Sequence, residues 1–400
     1  IYSMPVEYKS KLWLLVLCLL PFAFAQGSSI VGKKPVVVIT DLYSPAQDVG
    51  DNLDLINAYI LPGIELKAVL LDCHNEFRKK VATNAGKGLY MDEDGPRDPG
   101  YSAIEQLNYI FKRNVPYGVG PFSPMKCKND KMEYISDYEN KGLDLLKEIL
   151  EQSPEPVTLV SFGSLRILAV ANNRYHDLLK SKVKEIHISA GTSNNHPGFL
   201  EWNVALDTIA FVSVMESDLP INIYPCAAGK VKKEDESKFN AFVKDNSNTF
   251  YLLSSLSFVN SYPDKLKNYI QYALDREIKA GYLAILDSAF AADKSIFDRP
   301  HRTWETAIWM QVAGLKLTER SNGEYSIMPG WQVNSDDVIL KENLRPCTLK
   351  VKESGLFTYE FCEKGNFHLY EREDAEKYEV WMNKALPQFY IELTNKILKD

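Results

Sequence analysis

The sequence predicts an α/β protein, a doubly wound, mostly parallel sheet with helices on both faces. Short, continuously apolar segments that end in polar residues recur along the chain, as strands buried on both faces do. Amphipathic stretches of helical length separate them, so strand and helix alternate from residue 35 to residue 313. No long Pro/Gly/Ser linker, low-complexity run or internal repeat interrupts the alternation, and residues 26–400 therefore read as a single domain.

The first strand is expected over residues 35–41, where Pro-Val-Val-Val-Ile-Thr runs into Asp41. A loop to Gly50 leads to a helix over residues 51–61, with apolar side chains at Leu53, Leu55, Ile56, Tyr59 and Ile60, a stop at Pro62, and Asp51 where an N-cap belongs. Residues 65–72 return as the second strand, and the right-handed crossover rule places the two strands parallel in one sheet. Helices over residues 101–113, 142–152, 165–171, 207–216, 264–280 and 303–313 then alternate with strands over 115–119, 157–162, 183–189 and 221–224. The stretch from Cys347 reads as a β-hairpin with a Ser-Gly turn, closed by a helix from residue 374.

With 45% hydrophobic and 25% charged residues in 400, the chain can bury a large core, which excludes the disordered class. A net charge of -7, without a sustained Lys/Arg stripe, excludes nucleic acid and anionic membrane as partners. Lys9 and Lys11 precede an apolar run over residues 12–24, and Ala23 and Ala25 precede Gln26, so residues 1–25 read as a leader and signal peptide and the protein as secreted. That run is short for a membrane span and no basic cluster follows it, so no stable membrane anchor is expected. Beyond the leader remain Cys73, Cys127, Cys226, Cys347 and Cys362, with no C-x-x-C pair to suggest zinc or a redox motif. Cys347 and Cys362 could face each other across the hairpin, and whether they pair is left open.

In a doubly wound sheet, ligands bind outside the carboxyl ends of the strands. The residues that follow these strands are rich in carboxylates and amides. Asp41 follows the first strand, and Asp48 and Asp51 lie in the loop after it. Asp72 and Asn75 follow the second, and the strand ending at Ser189 runs into Asn194, Asn195, His196, Glu201, Trp202 and Asn203. Each alone reads as a cap or turn residue. Converging at one sheet edge, they would make an acidic, amide-rich pocket whose oxygen donors suit Ca²⁺. Gly118 and Gly120 lack the third glycine and helix start of a dinucleotide fingerprint, and no G-x-S-x-G elbow surrounds Ser161 or Ser164.

Three stretches carry a likeness to a known family. The first comprises residues 36–41, the acidic loop to Asp51, the helix, Pro62-Gly-Ile-Glu-Leu66 and the strand leading to Asn75. The second is Val157-Thr-Leu-Val-Ser-Phe-Gly163-Ser-Leu165, and the third runs from Ile186 through Ser189-Ala-Gly191, Asn195 and Glu201-Trp202-Asn203 to Asp207. In these the chain resembles the nucleoside hydrolase family, including its inosine-uridine-preferring members, whose first loop has the form Asp-x-Asp-Pro-Gly-x-Asp-Asp. The resemblance implies Ca²⁺-dependent hydrolysis of the N-glycosidic bond of a ribonucleoside or related riboside, a small-molecule partner drawn from purine and pyrimidine metabolism. It implies Asp41, Asp51, the backbone carbonyl of Phe162 and Glu305 as metal ligands, with Asp41 taking a proton from metal-bound water. Asn75, Asn195, Glu201 and Asn203 would hold the ribose hydroxyls; apart from the resemblance, Trp202, or else Trp304 or Tyr43, could stack on a base or cover the leaving group. Whether the chain forms a homo-oligomer is left open. Two departures stand out: Gly50 occupies the place of a further loop Asp, with Asp48 as its alternative replacement, and Trp304 stands where many members have a His. These departures keep a second reading beside the first, a catalytically inactive, secreted nucleoside- or sugar-binding member of the same fold.

Overall fold

The structure, a computed structural model, describes residues 32–44, 48–74, 98–193, 198, 200–227, 247–274, 281–289 and 294–399. The leader assigned to residues 1–25, and the candidates Asn75, Asn194, Asn195 and His196, lie outside the described residues.

Six parallel strands make the frame: β1 (Lys34–Thr40), β2 (Ile64–Leu71), β3 (Tyr117–Val119), β4 (Val157–Ser161), β5 (Val183–Ser189) and β6 (Ile221–Tyr224). They lie in the order β3-β2-β1-β4-β5-β6. The C-terminal segment extends the sheet with β7 (Glu342–Val351), β8 (Phe357–Phe361) and β9 (Phe367–Arg372). Strand β9 joins β6 in parallel, β7 lies antiparallel beside β9, and β8 pairs antiparallel with β7 at the edge. The sheet thus has nine strands and is mostly parallel.

Strand β1 shows why the sheet is covered on both sides. Successive side chains of a strand point to opposite faces, and here both sets are apolar: Val36 and Val38 enter one buried cluster, Val37 and Ile39 the other. The first cluster is completed by α1 (Val49–Ile60), α2 (Tyr101–Phe111), α7 (Asp264–Leu274), α8 (Thr306–Ala313) and α9 (Ala375–Lys399), and the second by α3 (Asp137–Gln152), α4 (Arg166–Lys182) and α6 (Thr208–Met215). The short helix α5 (Trp202–Leu206) precedes α6. The doubly wound class expected from the sequence is the one observed.

The differences lie at element ends and in the last third. Helix α1 starts before Asp51, because Asp48 is the residue whose side chain caps it. Helix α3 starts at Asp137 rather than 142, where Ser136 and Glu139 form a reciprocal capping box. Helix α4 continues to Lys182 across a non-helical residue at Tyr175. Residues His301–Thr303 are not helical but pair antiparallel with Tyr251–Leu253. A small three-stranded sheet of Leu315–Glu319, Tyr325–Pro329 and Val338–Ile339 was not anticipated. In the hairpin Cys347 sits opposite Phe361, one residue short of Cys362, and both thiols are free. No helix among the described residues is long and apolar enough to cross a membrane.

Candidate functional site

The chain leaves β1 towards β2 and β3, then returns to place β4 on the other side of β1. Strand order reverses there, and the carboxyl ends of β1 and β4 border the crevice that such a reversal opens. Asp41 directly follows β1, and Phe162 directly follows β4. Phe162 is held by its N–H, which donates to the Ile39 carbonyl at 2.9 Å, and by its ring, which lies tilted against Trp309 at 5.8 Å.

Helix α1 begins beside this crevice and carries Asp51 and Asp54 three residues apart, on one face, continuing from its cap Asp48. Glu305 arrives from the opposite direction, immediately before α8. Gly50 stands between them: a Cβ added there would lie 2.9 Å from Asp48 Oδ1 and 3.3 Å from Glu305 Oε2. A side chain at the place of the further loop Asp would require these two carboxylates to shift aside. Ser189, the last residue of β5, donates its hydroxyl to Glu305 Oε1 at 3.3 Å and so ties a third strand end to the group.

These groups lie close enough to shift one another's pKa values. Burial, then the charges of Asp72, Asp48 and Glu305, push the Asp41 carboxyl well above its usual range. Asp51 is raised in the same way by burial and by Asp48, Asp41, Glu305 and Asp54, and Asp54 by burial and by Glu305 and Asp48. Glu305 is pushed up to about 8 by burial and Asp48. Burial also raises Asp48, against the pull of the Asp51 and Gly50 N–H groups and of Arg302. Like charges gathered out of water must hold protons or a cation. An all-oxygen donor set fits a hard cation such as Ca²⁺ in kind. No group of three or more His, Cys, Asp or Glu side chains among the described residues is arranged to hold a metal, so the carboxylates are gathered without being closed around a common point.

The remaining candidates divide. Glu201 is buried and caps α5; it accepts from the N–H groups of Asn203 at 2.8 Å, Gly191 at 3.0 Å and Val204 at 3.2 Å. Asn203 donates its amide to the Ser189 carbonyl at 2.8 Å. The pair thus anchors the segment after β5 at the strand end that reaches Glu305. Trp202 is 57% exposed. Asp72, a candidate for the acidic pocket, is instead engaged by Arg166. This fully buried guanidinium donates to Asp207 Oδ2 at 2.8 Å and to the carbonyls of Pro121 at 2.7 Å and Cys73 at 3.2 Å, and stands 3.9 Å from Asp72 Oδ1. The other Asp72 oxygen accepts the Ser164 N–H, and a Cβ at Gly163 would lie 2.5 Å from it, so only glycine permits the approach. Sequence reasoning passes over the burial of Asp54 beside Glu305 and the pairing of Arg166 with Asp207. The spacing Asp48-x-x-Asp51-x-x-Asp54 is the signal that could have found the first.

No family model matches the chain. In sequence it is 25% identical over 204 residues to the pyrimidine-specific ribonucleoside hydrolase RihA of Photobacterium profundum, a match covering 48% of this chain and 60% of that protein. It is 25% identical over 208 residues to RihA of Escherichia coli, covering 48% of this chain and 62% of the relative. The chain thus spans less than two thirds of the curated relatives it matches. Among solved structures, an inosine-guanosine nucleoside hydrolase aligns with a TM-score of 0.49 at 14% identity, over 92% of this chain and 99% of that one. The inosine-uridine preferring nucleoside hydrolase from Bacillus anthracis aligns with a TM-score of 0.44 at 13% identity, again over 92% and 99%. Over about half its length the chain is thus similar in sequence to pyrimidine-specific ribonucleoside hydrolases.

Proposed function

We propose that the chain hydrolyses the N-glycosidic bond of a ribonucleoside or related riboside, using water activated by Ca²⁺. The gathering of Asp41, Asp51 and Glu305 where the strand order reverses carries this reading. The sequence relationship to pyrimidine-specific ribonucleoside hydrolases supports the same reaction class. Asp41, Asp51, Glu305 and the Phe162 carbonyl would hold the cation, which when bound supplies a water of lowered pKa. Asp41 would be the residue that takes a proton from the attacking water. The surrounding carboxylates stabilise the flattened, cationic sugar as the base departs. Asn75, Asn195, Glu201 and Asn203 orient the sugar, and Trp202 lies on the base. With the leader at residues 1–25, the reading places the enzyme outside the cell.

Ribose release from a panel of ribonucleosides and other ribosides tests the proposal. The wild type is expected to turn over at least one of them, with kcat/KM falling about 100-fold or more in Asp41→Asn and Asp51→Asn. Retention of full turnover by both variants would remove these residues from the chemistry. A second reading, a nucleoside- or sugar-binding protein without turnover, draws on Gly50 and on the use of Asp48 as a helix cap. Calorimetric binding of Ca²⁺ and ribose without product from any riboside would favour it.

A further inference from the structure

We infer that Tyr251 is the positioning residue for Glu305, gripping the chain on both sides of it. The inference rests on the hydrolytic function proposed above, in which Glu305 belongs to the site, and it names what fixes that group in place.

Glu305 stands at the N-cap of α8, yet its side chain makes no capping hydrogen bond. The Ser189 hydroxyl, at 3.3 Å, and the N–H groups of Glu305 and Trp304 favour its charged form instead. Where the carboxylate sits therefore depends on the course of the backbone through Trp304 and Glu305. That stretch is bracketed by two buried threonines, Thr303 at the end of its strand and Thr306 at the first position of α8. Tyr251 meets both. Its carbonyl accepts the Thr303 hydroxyl at 3.0 Å, and its own hydroxyl shares a hydrogen bond with the Thr306 hydroxyl at 2.9 Å. Tyr251 and Thr303 also face each other in the antiparallel ribbon, and the neighbouring Phe250 ring lies tilted against Trp304 at 5.4 Å.

Tyr251 is itself held from behind by the C-terminal segment. It is fully buried and lies edge-on to Tyr378 of α9 at 5.7 Å. Glu379 of α9 accepts the Leu252 N–H at 2.9 Å. The Asn383 amide donates to the Leu252 carbonyl at 2.8 Å, and its oxygen accepts the Ser254 N–H at 2.7 Å. Arg372 donates to the Phe250 carbonyl at 2.7 Å. Side chains of the C-terminal segment thus stand where a third strand of the ribbon would. Removing the Tyr251 hydroxyl leaves the ring and these supports in place but strands the Thr306 hydroxyl, a buried group that then gains by moving to a new partner.

The test compares Tyr251→Phe, Thr306→Val and Thr306→Ser with the wild type in riboside turnover and in crystal structures of the metal-free chain, with Tyr378→Phe as control. Misplacing a group by about 1 Å can cost on the order of 100-fold in rate, so kcat is expected to fall at least about 10-fold in Tyr251→Phe and in Thr306→Val. KM should stay within about twofold, the mark of an interaction that matters in the transition state. Thr306→Ser keeps the hydroxyl and should keep kcat within about threefold of the wild type. Tyr378→Phe removes a buried hydroxyl that has no hydrogen-bond partner among the described residues, and should leave kcat unchanged. A merely structural Tyr251 hydroxyl would lower Tm and leave kcat intact, which overturns the inference. Should Tyr251→Phe not fold, Thr306→Val removes the same bond from its other end. A wild type that turns over no riboside sinks the hydrolytic function, and the crystal structures then decide the placement alone. In either variant the Glu305 carboxylate is expected to move about 1 Å or more from its place beside Ser189. A carboxylate that stays where it is overturns the inference.

Discussion

Arg166 and Glu305 show two opposite treatments of buried charge at one end of the sheet. Arg166 pairs with Asp207 and stands beside Asp72 behind the crevice, and the carbonyls of Cys73 and Pro121 accept from its Nη1, while Nη2 has no hydrogen-bond partner among the described residues. Breaking a buried pair leaves an uncompensated charge, so Arg166→Met should cost about 3–5 kcal/mol, read from the denaturant midpoint at constant m. A loss below about 1 kcal/mol would show that this network does not hold the strand ends. Around Glu305 the buried acids have no such cation among them and raise one another's pKa instead. Gly50 sharpens the point. An Asp at 50 would resemble the family loop more closely, yet its Cβ would press on Asp48 and Glu305. Gly50→Asp is therefore expected to weaken Ca²⁺ binding rather than strengthen it, and a gain in affinity by calorimetry would refute the packing argument. The positions of Asp41 and Asp51 were readable, one at a strand end and one in the first turn of a helix; the burial of Asp54 was not, since an isolated acid inside an amphipathic helix looks solvated in sequence.

Among the elements, strands were more legible than helix ends. Residues 183–189 and 221–224 form strands with the bounds expected, and their side chains from Ile186 to Ser189 and from Ile221 to Tyr224 are all buried, which leaves the register little freedom to slip. Helix starts depend on which nearby oxygen captures the first free N–H groups, and at α1 and α3 the winning residue lay upstream of the one expected. Ser136→Ala removes the α3 capping box and is expected to cost about 1 kcal/mol without altering Ca²⁺ affinity, since α3 packs on the other face of the sheet. A change in affinity would reveal coupling across the sheet. The small sheet of Leu315–Glu319, Tyr325–Pro329 and Val338–Ile339 escaped notice because its strands are short and mostly half-buried or exposed, so they lack the apolar run that marks the main sheet.

At the scale of the molecule, the β3-β2-β1-β4-β5-β6 order brings Asp41 and Phe162 to the ends of neighbouring strands from segments about 120 residues apart. The alternation of elements announced this class, and the family likeness pointed to the same strand ends. Neither could disclose that Asp72 would be claimed by Arg166, since that pairing depends on how α4 packs. Far from the site, burial pushes Glu342 on β7 from 4.5 up to about 7, despite its hydrogen bond from the Tyr370 hydroxyl. A carboxyl whose folded pKa is raised contributes stability below its unfolded pKa and loses it as pH rises through the folded value. Stability from this group is thus fully present below 4.5 and lost through about 7. Glu342→Gln should flatten the fall of Tm across that window, and an unaltered profile would count against the buried acid as its source.

The gathering of carboxylates at the strand-order reversal is tested most directly by a crystal structure of the chain soaked with Ca²⁺ and ribose. The account predicts one anomalous calcium peak bound by Asp41, Asp51 and Glu305, with ribose hydroxyls completing its coordination. A calcium bound elsewhere, or none in crystals whose crevice is open to solvent, would contradict it.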